Sequence, residues 1–392
     1  MNPLESSARL LFRAALYLFT VTIVIGILNG LDLWEPSHNL LLTHVHSGTL
    51  GWITLAVIGA AMLMFGEGAD ARTVATARRL AMVSITATVL YVVAFATTTS
   101  VVRPIAGTLM LVAIVWVLVW VWGRFNGSAR STAQLGVLLA TISLTIGAVL
   151  GVLLGLYIAR GSIPGLSNET AGSLAGAHPP AMLIGYLVLA GVAIVHWLLD
   201  GRQTGVSKAV VWALFLGGIA ANLAFILDIE ELIQVATGLE VVAIITFTVH
   251  IFSALKPGSW VGEGAANHAR VSAVFLLIGI GLLVYVVQLV ISGELNPETG
   301  EGPIGVLLAF DHAMFIGVMT NALFALVARV AGTGRDPVGL WVVNGGLAVF
   351  LLGLVLDVSI LKRVGAPIMG LALLHAIFVF LRQLGSSRAA AT

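Results

Sequence analysis

Twelve runs of twenty or more residues are apolar and nearly free of charge, and that pattern leaves little choice of fold. They fall at about 9–30, 39–65, 78–100, 103–124, 133–159, 174–199, 206–227, 231–255, 270–292, 303–330, 338–357 and 364–384. A helix needs about 20 apolar residues to cross the hydrocarbon core of a bilayer. Backbone inside lipid must satisfy its own polar groups, so a spanning segment of this length is a helix. The chain is 59% hydrophobic and only 9% charged, against roughly 25% charged residues in a soluble domain. The expected fold is an all-α integral membrane protein with twelve transmembrane helices, one polytopic domain over residues 1–392. The short connections leave no room for a soluble domain.

Charge sets the expected orientation. With the N-terminus, the even-to-odd loops and the C-terminus on one side, that side holds 15 of the cations: Arg9, Arg13, Arg72, Arg78, Arg79, Arg124, Arg130, Arg202, Lys208, Lys256, Arg270, Arg329, Arg335, Arg382 and Arg388. The other side holds 4, namely Arg103, Arg160, Lys362 and Arg363. The positive-inside rule then places both termini in the cytoplasm. The outer loops are acidic, with Asp32, Glu35, Glu169, Asp228, Glu230, Glu231, Glu294, Glu298 and Glu301. No small-residue cleavage site follows the first span, so it reads as a retained helix and not a signal peptide.

Several chemistries are excluded. There are no cysteines, hence no disulfide, thiolate metal site, iron–sulfur cluster or thioether-linked haem. A net charge of +1 gives no argument for a nucleic-acid partner. No Walker-type loop or nucleophile elbow is present.

The histidines carry the chemistry. His46 precedes Gly51-Trp52, His178 precedes Gly185-Tyr186 and His312 precedes Gly317-Val318. The interval from His46 to His178 is nearly the same as that from His178 to His312. Each lies near the outer start of the second, sixth or tenth span. This period predicts three four-helix pseudo-repeats, about 1–127, 128–260 and 261–392. A weaker echo places His250 in span eight and His375 in span twelve. A single histidine in a membrane helix is most often a hydrogen-bonded core group. Four at similar depth, His44, His46, His178 and His312, point instead to a metal or a metal-bearing cofactor. Imidazole suits haem iron, copper or zinc. His44 and His46 are two residues apart, about 200° around a helix. They cannot share one ion, and the second helix reads as a wall between two centres.

The stretch His44-Val45-His46-Ser47-Gly48-Thr49-Leu50-Gly51-Trp52 resembles the H-V-H-S-G-A-L-G-W stretch of the catalytic subunit of C-family (cbb-type) haem-copper oxidases. There the first histidine binds a high-spin haem and the second a low-spin haem. The twelve-helix plan with ligands on helices two, six and ten also resembles that superfamily, which holds its low-spin haem between helices two and ten. Lys362-Arg363 resembles the basic pair that holds haem propionates there. The oxidases carry H-x-H on helix ten, whereas this chain carries it on helix two. It also lacks a histidine pair on helix seven. In plan the chain resembles the NnrS family of haem- and copper-containing membrane proteins of the nitric oxide response, which carries H-x-H on helix two. The stretch Asp311-His312-Ala313-Met314-Phe315-Ile316-Gly317 through Ala328-Arg329 is similar to their tenth helix. Ser47 stands where that family usually has glutamate.

The resemblance implies one or two b-type haems, with copper as a further option. The implied ligands are His44, His46, His178 and His312, with Lys362 and Arg363 as propionate partners. His46 with His312 is the leading axial pair. His178 then takes the copper position or joins His44 on a second haem. In a rotated plan His46 pairs with His178. The implied role is handling of NO or O2 by reduction, protection or sensing. An electron donor or oxidase subunits are the implied partners, and the cytoplasmic (inner) membrane of a prokaryote the expected location.

Two other functions fit the composition: a secondary transporter, and a haem or copper delivery factor or accessory oxidase subunit. Against transport, the period is four helices and no inverted repeat is evident. Among other polar residues, Glu240 is a candidate proton carrier. Arg103 and Arg160 are candidate propionate partners. Asp311 points about 100° from His312 on a helix. His196 and His268 are expected to be solvated near the cytoplasmic surface. Asn222, Gln134, Gln288 and Asn344 are expected to bond between helices.

Overall fold

A computed structural model of the chain describes residues 2–31, 36–98, 101–127, 130–163, 165–199, 203–261, 264–296, 301–332, 336 and 338–386. Of the charge pattern above, Asp32, Glu35, Arg202, Glu298, Arg335 and Arg388 lie outside the described residues. The chain is all-helical, with twelve helices long and apolar enough to cross a membrane. They are α1 (Glu5–Gly30), α2 (His38–Met64), α3 (Ala71–Thr97), α4 (Val102–Asn126), α5 (Thr132–Arg160), α6 (Asn168–Leu198), α7 (Gly205–Leu227), α8 (Glu230–His250), α9 (Gly264–Ile291), α10 (Ile304–Ala331), α11 (Val338–Val355) and α12 (Ser359–Gly385).

α3 outruns its apolar run where a cap fixes its start. α3 begins at Ala71 rather than 78 because the Asp70 carboxylate accepts from the Thr73 N–H at 2.8 Å. That bond satisfies one of the first-turn donors and holds the Asp70 carboxyl below its usual range. Ser131 with Gln134 and Thr204 with Ser207 make reciprocal boxes at the starts of α5 and α7. α10 closes on Gly332 at φ +67°, a left-handed position that favours glycine.

α2, α6 and α10 form the inner wall. Their most apolar windows are 83%, 72% and 83% buried, against 28 to 50% for the other nine. They meet through hydroxyls and aromatic rings. Trp52 Nε1 donates to Thr320 Oγ1 at 3.0 Å, and the Tyr186 hydroxyl donates to Thr54 Oγ1 at 3.3 Å. Trp52 stacks on Phe19 of α1, centroids 5.0 Å apart and planes 8° apart.

Each inner helix contains an eight-residue π-helical stretch: Ser47–Thr54, Ala181–Val188 and Ala313–Thr320. Such stretches are rare and usually confined to one turn. The widened turn is supported from the side chains. Thr54 Oγ1 donates to the carbonyl of Thr49 and Thr320 Oγ1 to that of Phe315, each five residues back. In α6 the turn is entered through Pro179 and Pro180, which have no N–H to donate.

His196 and His268, expected to be solvated, are both buried. His268 Nδ1 bonds to Asn321 Oδ1 at 3.0 Å, and Asn321 exchanges amide bonds with Asn344 at 2.8 and 3.0 Å. Hydropathy misplaced His268 because partners from α10 and α11 replace its water. His196 lies parallel to His250, centroids 6.0 Å apart. His375 faces Asp336 at 3.8 Å. Asn321→Ala leaves the His268 donor and the Asn344 amide without their partner. It is expected to destabilise the protein by about 1–3 kcal/mol, read as a lower midpoint of thermal unfolding in detergent.

Candidate functional site

All four histidines sit at the same end of the inner helices, just ahead of a π turn. His44 and His46 are in the last α-helical turn before Ser47, His178 is three residues before Ala181, and His312 directly precedes Ala313. Each ring is anchored in the same chemical way. Nδ1 of His44 bonds to the Thr22 carbonyl at 2.8 Å, His46 to Leu42 at 2.7 Å, His178 to Gly147 at 2.8 Å and His312 to Leu308 at 2.7 Å. A carbonyl only accepts, so Nδ1 carries the proton and donates. Nε2 then keeps its lone pair, the tautomer and orientation of a metal-ligating imidazole.

A cavity of about 640 Å³ opens between α1, α2, α10, α11 and α12. His44, His312, Lys362 and Arg363 all line it. Its floor is Trp52 and Thr320, and Asp311 stands on its wall. The Asp311 Oδ1 atom has no hydrogen-bond partner among the described residues. His312 is packed edge-on against Phe350, centroids 5.0 Å apart. Lys362 Nζ is held by Asp357 at 2.9 Å near the start of α12. Glycines flatten the α1 side. A Cβ on Gly26 would stand 2.9 Å from His44 Cε1, closer than side chains pack. Gly26→Ala therefore has to turn the imidazole away from the cavity. We expect the folded variant to lose most of any cofactor bound there, measured as pigment per protein.

His46 faces the other way, as its position around the helix requires. Its ring packs on Phe95 (4.2 Å) and Tyr91 (5.3 Å) of α3. The Arg103 guanidinium lies over the same Phe95 ring, 4.7 Å from its centroid. The cavity thus pairs His44 with His312, and it does not bring His46 to His312, the pair favoured from sequence. His178 is not on the His44 cavity either.

Contacts between helices explain the difference. Gly51 faces Leu18, Gly185 faces Ser143 and Gly317 faces Phe275. Gly48 faces Thr22, while Gly147 and Gly279 face Met182 and Met314. In this register His44 and His178 each lie seven residues before their glycine (51 and 185), whereas His46 and His312 lie five before theirs (51 and 317). His178 therefore matches His44, not His46. Both rings bond to a carbonyl of the preceding helix and rest on one of its glycines, Gly26 and Gly151.

Sequence reading did not single out Gly26, Thr22 or Thr320, and it took Trp52 only as part of the motif that follows His46. The Gly26-x-x-x-Gly30 spacing on α1 was the available signal, since small residues four apart allow close helix approach. Glu240 is fully buried against Gly217, and neither carboxyl oxygen has a partner among the described residues. Among the described residues, no three histidine, aspartate or glutamate side chains converge on one point as a cation site. No family model matches the chain, and no curated protein matches it.

Proposed function

We propose that the chain is a b-type haem protein of the bilayer. His44 on α2 and His312 on α10 would hold the iron, and Lys362 and Arg363 would hold the propionates. One observation carries this reading: a single cavity of about 640 Å³ lined by two imidazoles and two cations. The volume is in the usual range for cofactor pockets, roughly 300–1,000 Å³. Both imidazoles are fixed through Nδ1 by backbone carbonyls. Its apolar walls suit a porphyrin face, and Lys362 and Arg363 suit its carboxylates.

When bound, haem iron supplies one-electron redox chemistry. His44 and His312 would each offer the iron an Nε2 lone pair, a ligand set that suits electron exchange. The Trp52–Thr320 bond closes the floor and limits water. The activity we attach to the site is electron exchange in the handling of NO or O2. A redox partner, such as a cytochrome or oxidase subunit, is its natural electron source.

The finer architecture belongs to the same proposal. The π turns begin at Ser47, Ala181 and Ala313, at nearly equal intervals along the chain. That period supports three four-helix pseudo-repeats. The 15-to-4 distribution of cations supports cytoplasmic termini, an outward-facing histidine end and a place in the cytoplasmic membrane of a prokaryote.

Optical spectra of the detergent-purified protein test the function. We expect a Soret band, with sharp α and β bands on dithionite reduction. Carbon monoxide that leaves them unchanged fits electron exchange, and a shift reveals an iron open to diatomics. A colourless protein from haem-replete cells contradicts the proposal and returns the chain to secondary transport.

A further inference from the structure

Glu240 stands midway along α8 and is 0% exposed, and neither of its carboxyl oxygens has a hydrogen-bond partner among the described residues. The side chain points inward. Val242, Ile245 and Val249 carry the lipid face of the same helix, at 64%, 51% and 70% exposure. The carboxyl fits a notch in α7 made by Gly217, where a Cβ would stand 2.9 Å from Oε1 and 3.4 Å from Cγ. A larger residue at 217 would take the space that the carboxyl occupies.

The charge state of Glu240 is decided by what can reach it. α8 packs on α7 and, less closely, on α9. On α7, Lys208 lies in the first turn and Asp228 at the closing cap. On α9, His268 and Arg270 lie near the start of the helix, and Tyr285 is half-exposed. On α8 itself, Glu230 and Glu231 open the helix and His250 ends it. None of them makes a hydrogen bond or a charge contact with Glu240. A bare carboxylate in hydrocarbon, with no donor and no cation beside it, is too costly to persist. In the packing seen here Glu240 therefore carries a proton. To release it, water or a cation has to enter, and α8 has to part from α7. Of the twelve spanning helices α8 has the smallest buried share, 28%, so it gives up the least packing in moving.

We propose that Glu240 is a reversible proton-binding site in the middle of the bilayer, sheltered by Gly217 and opened to water when α8 parts from α7. The site gives the chain a proton-linked step apart from the proposed haem. It lies on α7 and α8, whereas the cavity lies between α1, α2, α10, α11 and α12, so neither reading depends on the other.

The test uses the purified full-length protein in phospholipid vesicles, labelled with dicyclohexylcarbodiimide over a pH series and read by peptide mass. A protonated carboxyl adds across a C=N bond of the reagent. Its oxygen bonds to the central carbon, its proton goes to a nitrogen, and an acyl shift leaves a stable N-acylurea with nothing lost. We expect Glu240 to take the label at neutral pH, the rate to fall as pH rises, and Glu240→Gln to lose the label. The same rate at every pH overturns the proposal, because the proton is then trapped. Protection by sodium chloride but not by choline chloride also overturns it, by making the site one for a metal cation. If the reagent does not reach residue 240, infrared spectra decide. A protonated-carboxyl C=O band that is absent from Glu240→Gln and shifts in D2O supports exchange with water. No such band, or one that D2O leaves in place, overturns the proposal. Gly217→Ala should move the band, since its methyl enters the notch, and an unmoved band overturns the sheltered site.

Discussion

His312→Ala is expected to lose the low-spin spectrum of the proposed α2–α10 haem while remaining a folded membrane protein. His312 borders the cavity and bonds within its own helix turn to Leu308. Truncation therefore removes the proposed ligand and its edge-on contact with Phe350 of α11, but no hydrogen bond between helices. Loss of an outer partner to a metal ligand costs about 10–100-fold in affinity, so loss of the ligand itself costs more than roughly 100-fold. His44→Ala should behave alike at the iron, with an added structural cost. His44 also ties α2 to the Thr22 carbonyl of α1. Haem retained at wild-type affinity, with an unchanged spectrum in both variants, would remove His44 and His312 as ligands. His268→Ala is the control. His268 is buried and hydrogen-bonded to Asn321 but does not line the cavity, so stability should fall and the spectrum stay.

The second large effect concerns the basic pair. Lys362 and Arg363 sit at the start of α12 on the cavity rim. Hydrogen bonds to charged groups contribute about 1.5–3 kcal/mol each. Each single alanine variant should then weaken haem binding by about 10–100-fold, and the double variant by more. Removing positive charge near the iron also favours its oxidised state, so the midpoint potential should fall. Lys362→Ala has the smaller effect. Its Nζ is shared with Asp357 at 2.9 Å, and that carboxylate is 92% exposed. Solvent competes for such a pair. A haem titration of apoprotein and a potentiometric titration read the two quantities. An unchanged affinity in Lys362→Ala/Arg363→Ala would mean that no anionic group lies at this rim.

The twelve spans were legible from sequence because hydrocarbon thickness and backbone satisfaction leave one solution for long apolar runs. Their ends were less so. α3, α6, α9 and α12 begin five to seven residues before the apolar runs predicted at 78, 174, 270 and 364. Caps such as Asp70–Thr73 act in the polar interface, where hydropathy is silent. The placement of the four histidines at one end of the inner helices was legible, and the opposite aim of His44 and His46 followed from helix geometry alone. The pairing did not follow. It depends on which face of α2 looks toward α10, and that is set by contacts far apart in sequence, such as Trp52 with Thr320 and Gly51 with Leu18. The π turns were invisible for a related reason. No residue type marks them, and the hydroxyls of Thr54 and Thr320 that support them occur in many ordinary helices. The register of His178 was misread by two residues because Pro180 occupies the position equivalent to His46 and His312.

The most direct measurement is the low-temperature EPR spectrum of the purified ferric protein, with His44→Ala and His312→Ala beside it. Two imidazole ligands on iron give low-spin ferric signals and no high-spin signal. The component from the α2–α10 haem should vanish, or convert to high-spin, in both variants. A wild type with only a high-spin signal, or with no iron signal after growth with haem, would contradict a haem held between His44 and His312.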